Sequence, residues 1–285
     1  MPRFAYVNGR YLPHSKACVH VEDRGYQFGD GVYEVVAILG GRPIDETLHL
    51  DRLERSLREL RIGMPMGRKG LMMTMRELVR RNGVRNGLVY LQITRGVAPR
   101  DHKFPAVSDP ALVMTTKRMS HERHRSAAAG VRVITIPDIR WQRCDIKSIS
   151  LLPNCLGKQQ AVEAGAYEAW QVGADGLVTE GTSSNAWIVT GDGRLMTRPT
   201  GCEILGGITR ATILRIAGEE GLVIEERPFS VPEAQRAREA FLSSATSFVT
   251  PVVQVDDIVI GDGRPGPLTA RLTEWYWAYS TGGRE

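Results

Sequence analysis

The chain has 285 residues, 42% of them hydrophobic and 24% charged, and carries a formal net charge of +5. That size and mix support a substantial core in one large domain or two modest ones, and they set aside low-complexity and fibrous classes. The positive excess sits in short clusters without interleaved aromatics (Arg80-Arg81, Arg85, Lys117 to Arg125), so a mild field favouring anionic small molecules is expected rather than nucleic-acid binding.

The opening residues, Met1 to Arg10, lack the apolar core of a secretory signal, and no apolar run reaches the roughly 18 residues of a membrane span. Phe4 to Val7, Asn8-Gly9 and Arg10 to Leu12 read as a hairpin, because an Asn-Gly pair suits a tight two-residue turn. Gly31 to Leu39 reads as a strand closed by Gly40-Gly41. Leu48, Leu50, Leu53, Leu57, Leu60 and Ile62 then recur at helical spacing. A second helix is expected over Leu71 to Arg81, ending before Asn82-Gly83, with strands at Gly87 to Thr94 and Ala111 to Thr116.

From Met119 to Gly130 the hydrophobic period gives way to polar and small residues. This marks an expected linker at 120–130, between a smaller N-terminal domain over 1–119 and a larger C-terminal one over 131–285. Beyond it, strands are expected near Val131 to Ile136, Gly176 to Thr179, Glu168 to Val172, Asn185 to Val189 and Arg194 to Thr197. Helices are expected over Leu152 to Ala164, Thr209 to Glu220 and Leu268 to Tyr279. Strands and helices mix without regular βαβ alternation, which places the chain in the α+β class. Cys18, Cys144, Cys155 and Cys202 form no CxxC pair, so neither a zinc site nor a disulfide framework is expected, and a cytoplasmic setting follows.

Two segments carry the chemistry: Arg143-Cys144-Asp145-Ile146-Lys147-Ser148 and Thr179-Glu180-Gly181-Thr182-Ser183-Ser184-Asn185. They pair a candidate imine-forming lysine with a candidate acid among small hydrogen-bonding residues. A cofactor that acts as an electron sink needs both: an amine to hold its aldehyde, and a carboxylate to keep its ring nitrogen protonated. Arg143, Ile146 and Ile149 are the neighbours that could tune Lys147. Lys158 is the rival, in a segment that reads as a solvated helix face. The alternative for Glu180 is a surface turn; the functional reading is a carboxylate whose burial a pyridinium compensates, with the Ser183 and Ser184 hydroxyls reaching cofactor or substrate oxygens.

Leu205-Gly206-Gly207-Ile208-Thr209-Arg210 precedes a helical period. Glycines there let the backbone approach an anion, so that N–H groups at Ile208 and Thr209 form a phosphate cup, unless Thr209 is a plain N-cap. Ser243-Ser244-Ala245-Thr246-Ser247 offers further phosphate contacts. Arg52 offers either a cationic fork for the phosphate or a salt bridge to Asp51 or Glu46. Arg100 and His102, two apart in the loop from Gly96 to Pro105, project to one side if the loop is extended, where together they would trap a carboxylate.

These motifs, in this order, resemble the fold-type IV pyridoxal-phosphate enzymes, and within them the D-amino-acid aminotransferases. The likeness runs from Val7-Asn8-Gly9 to Thr250-Pro251-Val252. Its blocks are Asp23 to Glu34, His49 to Leu53, Gln92 to Gly96, Arg143 to Ser148, Thr179 to Asn185 and Gly207 to Arg210. The resemblance implies a two-domain α+β fold with pyridoxal 5'-phosphate held as a Schiff base on Lys147 in the C-terminal domain, the active site lying between the domains. It implies that Glu180 partners the pyridine nitrogen and that Leu205 packs on the ring. Arg52, Ile208, Thr209, Ala245 and Thr246 would serve the phosphate. Tyr33 would hold the substrate carboxylate together with Arg100 and His102 from the second subunit of a homodimer.

The implied substrates are small-molecule amino acids and 2-oxo acids. In the resembled family the Arg-x-His pair separates the D-amino-acid enzymes from their branched-chain relatives, which keep most of the other blocks; a branched-chain L-amino-acid aminotransferase and an aminodeoxychorismate lyase, which uses the same apparatus, are the alternatives. Two departures stand out: Ala245 replaces the usual threonine of the D-specific relatives, and Pro153-Asn154 replaces the usual residues after the lysine.

Overall fold

The computed structural model describes residues 3–119 and 129–282. Most of the expected linker, 120–128, therefore lies outside the described residues. The chain divides into two compact units, one of Met1–Ser120 with Ile146–Ser150, the other of His121–Asp145 with Leu151–Glu285. This division moves Lys147 out of the C-terminal part, where the sequence reading put it. The cause is local. The Tyr33 N–H donates to the Lys147 carbonyl at 3.0 Å, the Ile149 N–H donates to the Gly31 carbonyl at 3.1 Å, and Ile146 inserts into the first unit's core.

The first unit opens with the hairpin of β1 (Phe4–Val7) and β2 (Arg10–Pro13). Its turn residues, Asn8 at φ 44° and Gly9 at φ 89°, both take the left-handed conformation that a tight two-residue hairpin requires. The central strand β3 (Gly31–Leu39) pairs with β4 (Arg42–Pro43) and β5 (Gly87–Thr94), and β6 (Ala111–Arg118) joins β5 to β1. The result is an antiparallel sheet ordered β2-β1-β6-β5-β3-β4.

Besides the short helix α1 (Arg24–Phe28), this unit holds α2 (Glu46–Glu59) and α3 (Arg68–Asn82). Leu50, Leu53 and Leu57 of α2 are fully buried against Leu71, Met75 and Leu78 of α3 and the apolar face of the sheet, whereas Leu48 points outward. At roughly 25 cal/mol per Å² of apolar surface, each such leucine contributes about 2 kcal/mol. This packing fixes β3, and with it Tyr33 and Glu34.

The second unit is built on a mixed sheet ordered β12-β11-β10-β13-β14-β7-β8-β9, with β15 on β14. Its strands are β7 (Val131–Pro137), β8 (Glu168–Val172), β9 (Val178–Gly181), β10 (Asn185–Val189), β11 (Leu195–Thr197), β12 (Ile224–Glu226), β13 (Glu239–Ser244), β14 (Phe248–Val255) and β15 (Ile258–Val259). The helices are α4 (Leu152–Glu163), α5 (Ile208–Glu219), α6 (Val231–Gln235) and α7 (Pro267–Thr281). Trp170, Phe229, Ile188 and Leu242 are among the residues that fill the core on the sheet. No described helix is long and apolar enough to cross a membrane, and all four cysteines are free.

Candidate active site

In the first unit, Lys147 lies outside the regular elements, pinned to β3 by the Tyr33 amide and an isolated bridge between Val32 and Ser148. Its own N–H donates to Ser56 Oγ at 3.2 Å, and its Nζ stands 4.2 Å from the centre of the Tyr33 ring. Among the described residues no carboxylate pairs with Lys147 Nζ; a carboxylate partner would favour the charged form, and only the neutral amine is a nucleophile. Lys158, the rival lysine, is on α4. Its Nζ donates to the Tyr167 carbonyl and lies 3.7 Å from Glu168.

Arg52 pairs with Glu34 on β3. Its Nε and Nη2 donate to the two oxygens of Glu34 at 2.7 and 2.8 Å, and His49 Nδ1 lies 2.7 Å from Glu34 Oε2. Glu34 is fully buried on β3. Burial alone would raise its pKa, but the Arg52 charge and the hydrogen bonds from Arg52 and His49 outweigh that and hold the carboxyl at about 2. Two of the Arg52 donors are thereby committed to Glu34 instead of to a phosphate. Asp51 pairs with Arg68 and Glu46 with Arg76.

Arg100 and His102 are exposed and share one perch: the Arg100 guanidinium lies 5.1 Å from the centre of the Phe28 ring, and His102 packs on that ring at 5.6 Å. Arg24 clamps their loop by donating from Nη1 to the Asp101 carbonyl at 2.6 Å, and it is anchored in turn by Asp30. Both side chains therefore meet at the Phe28 ring.

In the second unit, Glu180 is not in a turn. It lies within β9, buried, and its carboxylate is enclosed by donors: Arg140 Nη1, Asn185 Nδ2 at 3.0 Å, and the Leu205 N–H at 3.1 and 3.2 Å from its two oxygens. Asn185 also donates to the Leu205 carbonyl at 2.9 Å, so a single amide ties the acid to the glycine segment. A side chain on Gly207 would collide with Asn185 Oδ1, which is why that position takes glycine. Gly207 is also the N-cap of α5 and no side chain caps the helix, so Thr209 is not the N-cap and the first-turn N–H groups at Ile208 and Thr209 remain available to an anion.

The Ser183 and Ser184 hydroxyls gather on Glu168. Both donate to Glu168 Oε2, at 2.8 and 3.4 Å, and Thr182 Oγ1 donates to Glu168 Oε1. Glu168, buried on β8, was passed over in the sequence because it reads as an ordinary strand residue. Ala245 and Thr246 occupy the turn between β13 and β14, where Ser244 Oγ lies 2.8 Å from Ser247 Oγ and 3.3 Å from Thr246 Oγ1. Phe248 follows at φ 57°, a strained conformation for a bulky residue and a sign that this turn is held in shape. Arg143, offered as a neighbour of the lysine, is paired with Asp145 at 2.9 and 3.0 Å.

Each unit by itself carries groups of the kind pyridoxal phosphate needs: in the first, the primary amine of Lys147; in the second, the buried Glu180 carboxylate with its donors, and a helix N-terminus without a side-chain cap and with glycine backbone before it.

Comparison with known proteins agrees. The family model described as amino-transferase class IV matches residues 31–255. A D-alanine aminotransferase of Bacillus licheniformis is 44% identical over 93% of this chain and 93% of its own length. That of Staphylococcus haemolyticus is 39% identical over 96% of each. A solved T.th. branched-chain amino acid aminotransferase with pyridoxamine 5'-phosphate superposes with a TM-score of 0.91 at 26% identity, covering 100% of this chain and 96% of that one.

Proposed function

The chain belongs to the amino-transferase class IV family, and from that premise we propose that it transfers the amino group of D-amino acids, D-alanine among them, to a 2-oxo acid such as 2-oxoglutarate or pyruvate. It is a pyridoxal-phosphate-dependent transaminase. The observation that carries the stereochemical reading is the placement of Arg100 and His102 together on the Phe28 ring, supported by relatives named D-alanine aminotransferase over nearly the whole chain.

When bound, the cofactor supplies an electrophilic aldehyde and a ring that accepts the electron pair released at the substrate Cα. Lys147 would provide the primary amine that holds it and would take and return the substrate Cα proton as general base and acid. Glu180 would accept the ring N–H and keep that nitrogen protonated. Ile208 and Thr209 donate backbone N–H groups to the phosphate, with Ala245 and Thr246 beside it. Arg52 supplies positive charge but only part of its fork, because Glu34 holds the rest. Leu205 holds Glu180 through its amide, and its side chain would pack on the ring.

Tyr33, Arg100 and His102 fix the substrate carboxylate, so that only one enantiomer turns its Cα–H toward Lys147. Arg100 and His102 reach the site of a second copy, which makes a homodimer the working unit, and a cytoplasmic location completes the reading. The test is a panel of D/L amino-donor pairs with 2-oxoglutarate. D-Alanine is expected to react at least about 100-fold faster than L-leucine, a difference of about 3 kcal/mol in barrier; activity with the L-branched-chain donors alone would overturn the assignment.

A further inference from the structure

We propose that Arg140 is a positioning residue of the reaction, holding Glu180 ionised and aimed so that this carboxylate accepts the ring N–H. The inference rests on the reading of Glu180 as partner of the ring nitrogen. Arg140 follows β7 in a loop and carries no motif, yet its guanidinium is only 5% exposed. Nε donates to Asp138 Oδ1 at 2.9 Å and Nη2 to Asp138 Oδ2 at 2.7 Å, while Nη1 donates to Glu180 Oε1. Nη2 also reaches Thr179 Oγ1 at 3.2 Å and the Glu203 carbonyl at 3.0 Å. The guanidinium thus joins the loop, β9 and the segment before Leu205.

Charge counting gives this joint a functional sense. Asp138 by itself would neutralise a buried arginine. Adding Glu180 leaves two carboxylates around one guanidinium, a net charge of −1, which one protonated ring nitrogen balances. The other titratable groups nearby do not change the count. The Cys144 thiol is pushed up to about 11 by burial and stays neutral. The Asp145 carboxylate is held by Arg143, and Arg198 faces Glu203 at 3.7 Å. Without Arg140 the two carboxylates would face each other as like charges, one would take a proton, and Glu180 would lose both its charge and its aim.

The experiment compares holoenzymes of wild type, Arg140→Met, Arg140→Lys, Glu180→Gln and the Met/Gln double variant. It records the visible cofactor band from pH 5 to 10 and cofactor loss on dialysis. Arg140→Met is expected to shift the band and its pH profile in the direction of Glu180→Gln and to release cofactor about 10-fold faster, with the double variant no worse than Glu180→Gln. Arg140→Lys, which keeps the charge but not the fork, is expected to fall between, and it decides the matter if Arg140→Met does not fold. A wild-type band in both Arg140 variants beside an altered Glu180→Gln overturns the inference alone. A wild-type band in Glu180→Gln overturns the reading of Glu180 and the inference with it.

Discussion

The Tyr33 amide donates to the Lys147 carbonyl at 3.0 Å, and the Lys147 ammonium stands 4.2 Å from the centre of the Tyr33 ring. Backbone and side chain of one residue therefore locate the other at both ends. Tyr33 is itself stacked on Tyr90 at 5.7 Å, whose hydroxyl donates to Gln92 and is pushed up to about 12 by burial, with Tyr33 adding to the effect.

Tyr33→Phe separates the two roles of that side chain, because it keeps the ring under the ammonium and deletes only the hydroxyl. The KM for D-alanine is expected to rise about 10-fold with kcat changed less than threefold, the loss of one hydrogen bond to a charged group. Steady-state kinetics check this, and Tyr33→Ala is expected to lower kcat as well.

Acid lability follows from Glu34. Its folded carboxyl sits at about 2, below the ordinary 4.5, so the folded state binds its proton less readily than the unfolded chain does. The stabilisation is complete above pH 4.5 and is lost as pH falls from there towards 2. Melting temperature measured against pH is expected to drop across that window. In Glu34→Gln it is expected to drop less steeply, from a lower plateau that reflects a stability loss of roughly 3 kcal/mol, since Arg52 and His49 lose a buried carboxylate.

Glu168 organises the residues after Glu180 by accepting from Thr182, Ser183 and Ser184. Glu168→Gln keeps the shape but replaces a charged acceptor with an amide, and is expected to cost about 2 kcal/mol in urea unfolding. Hydrogen exchange is expected to quicken at residues 182–184 while β3 stays protected.

Where a local signal was strong, the fold was readable. The Asn8-Gly9 turn, the apolar run of β3 and the leucine period of α2 each state one structure at one level; the hairpin and β3 formed within a residue of their expected bounds, and α2 formed over Leu48 to Leu57 but ends at Glu59, before Leu60 and Ile62. β14 escaped because Pro251 cannot donate to a ladder and argues against a strand, yet β14 lies inside the sheet between β13 and β7. The lysine, the acid and the glycine segment were legible as motifs. Glu34, His49, Asp138, Arg140 and Glu168 were not, because their role is to hold another side chain. That relation depends on which strands become neighbours: Glu168 on β8 meets the hydroxyls beyond β9 only once those two strands pair.

The most direct test of the account is where the cofactor attaches. Borohydride reduction of the holoenzyme followed by peptide mapping is expected to find the pyridoxyl group on the ε-nitrogen of Lys147, with Lys147→Ala leaving no reducible label. A label on Lys158 or any other lysine, or none in the wild type, would contradict it.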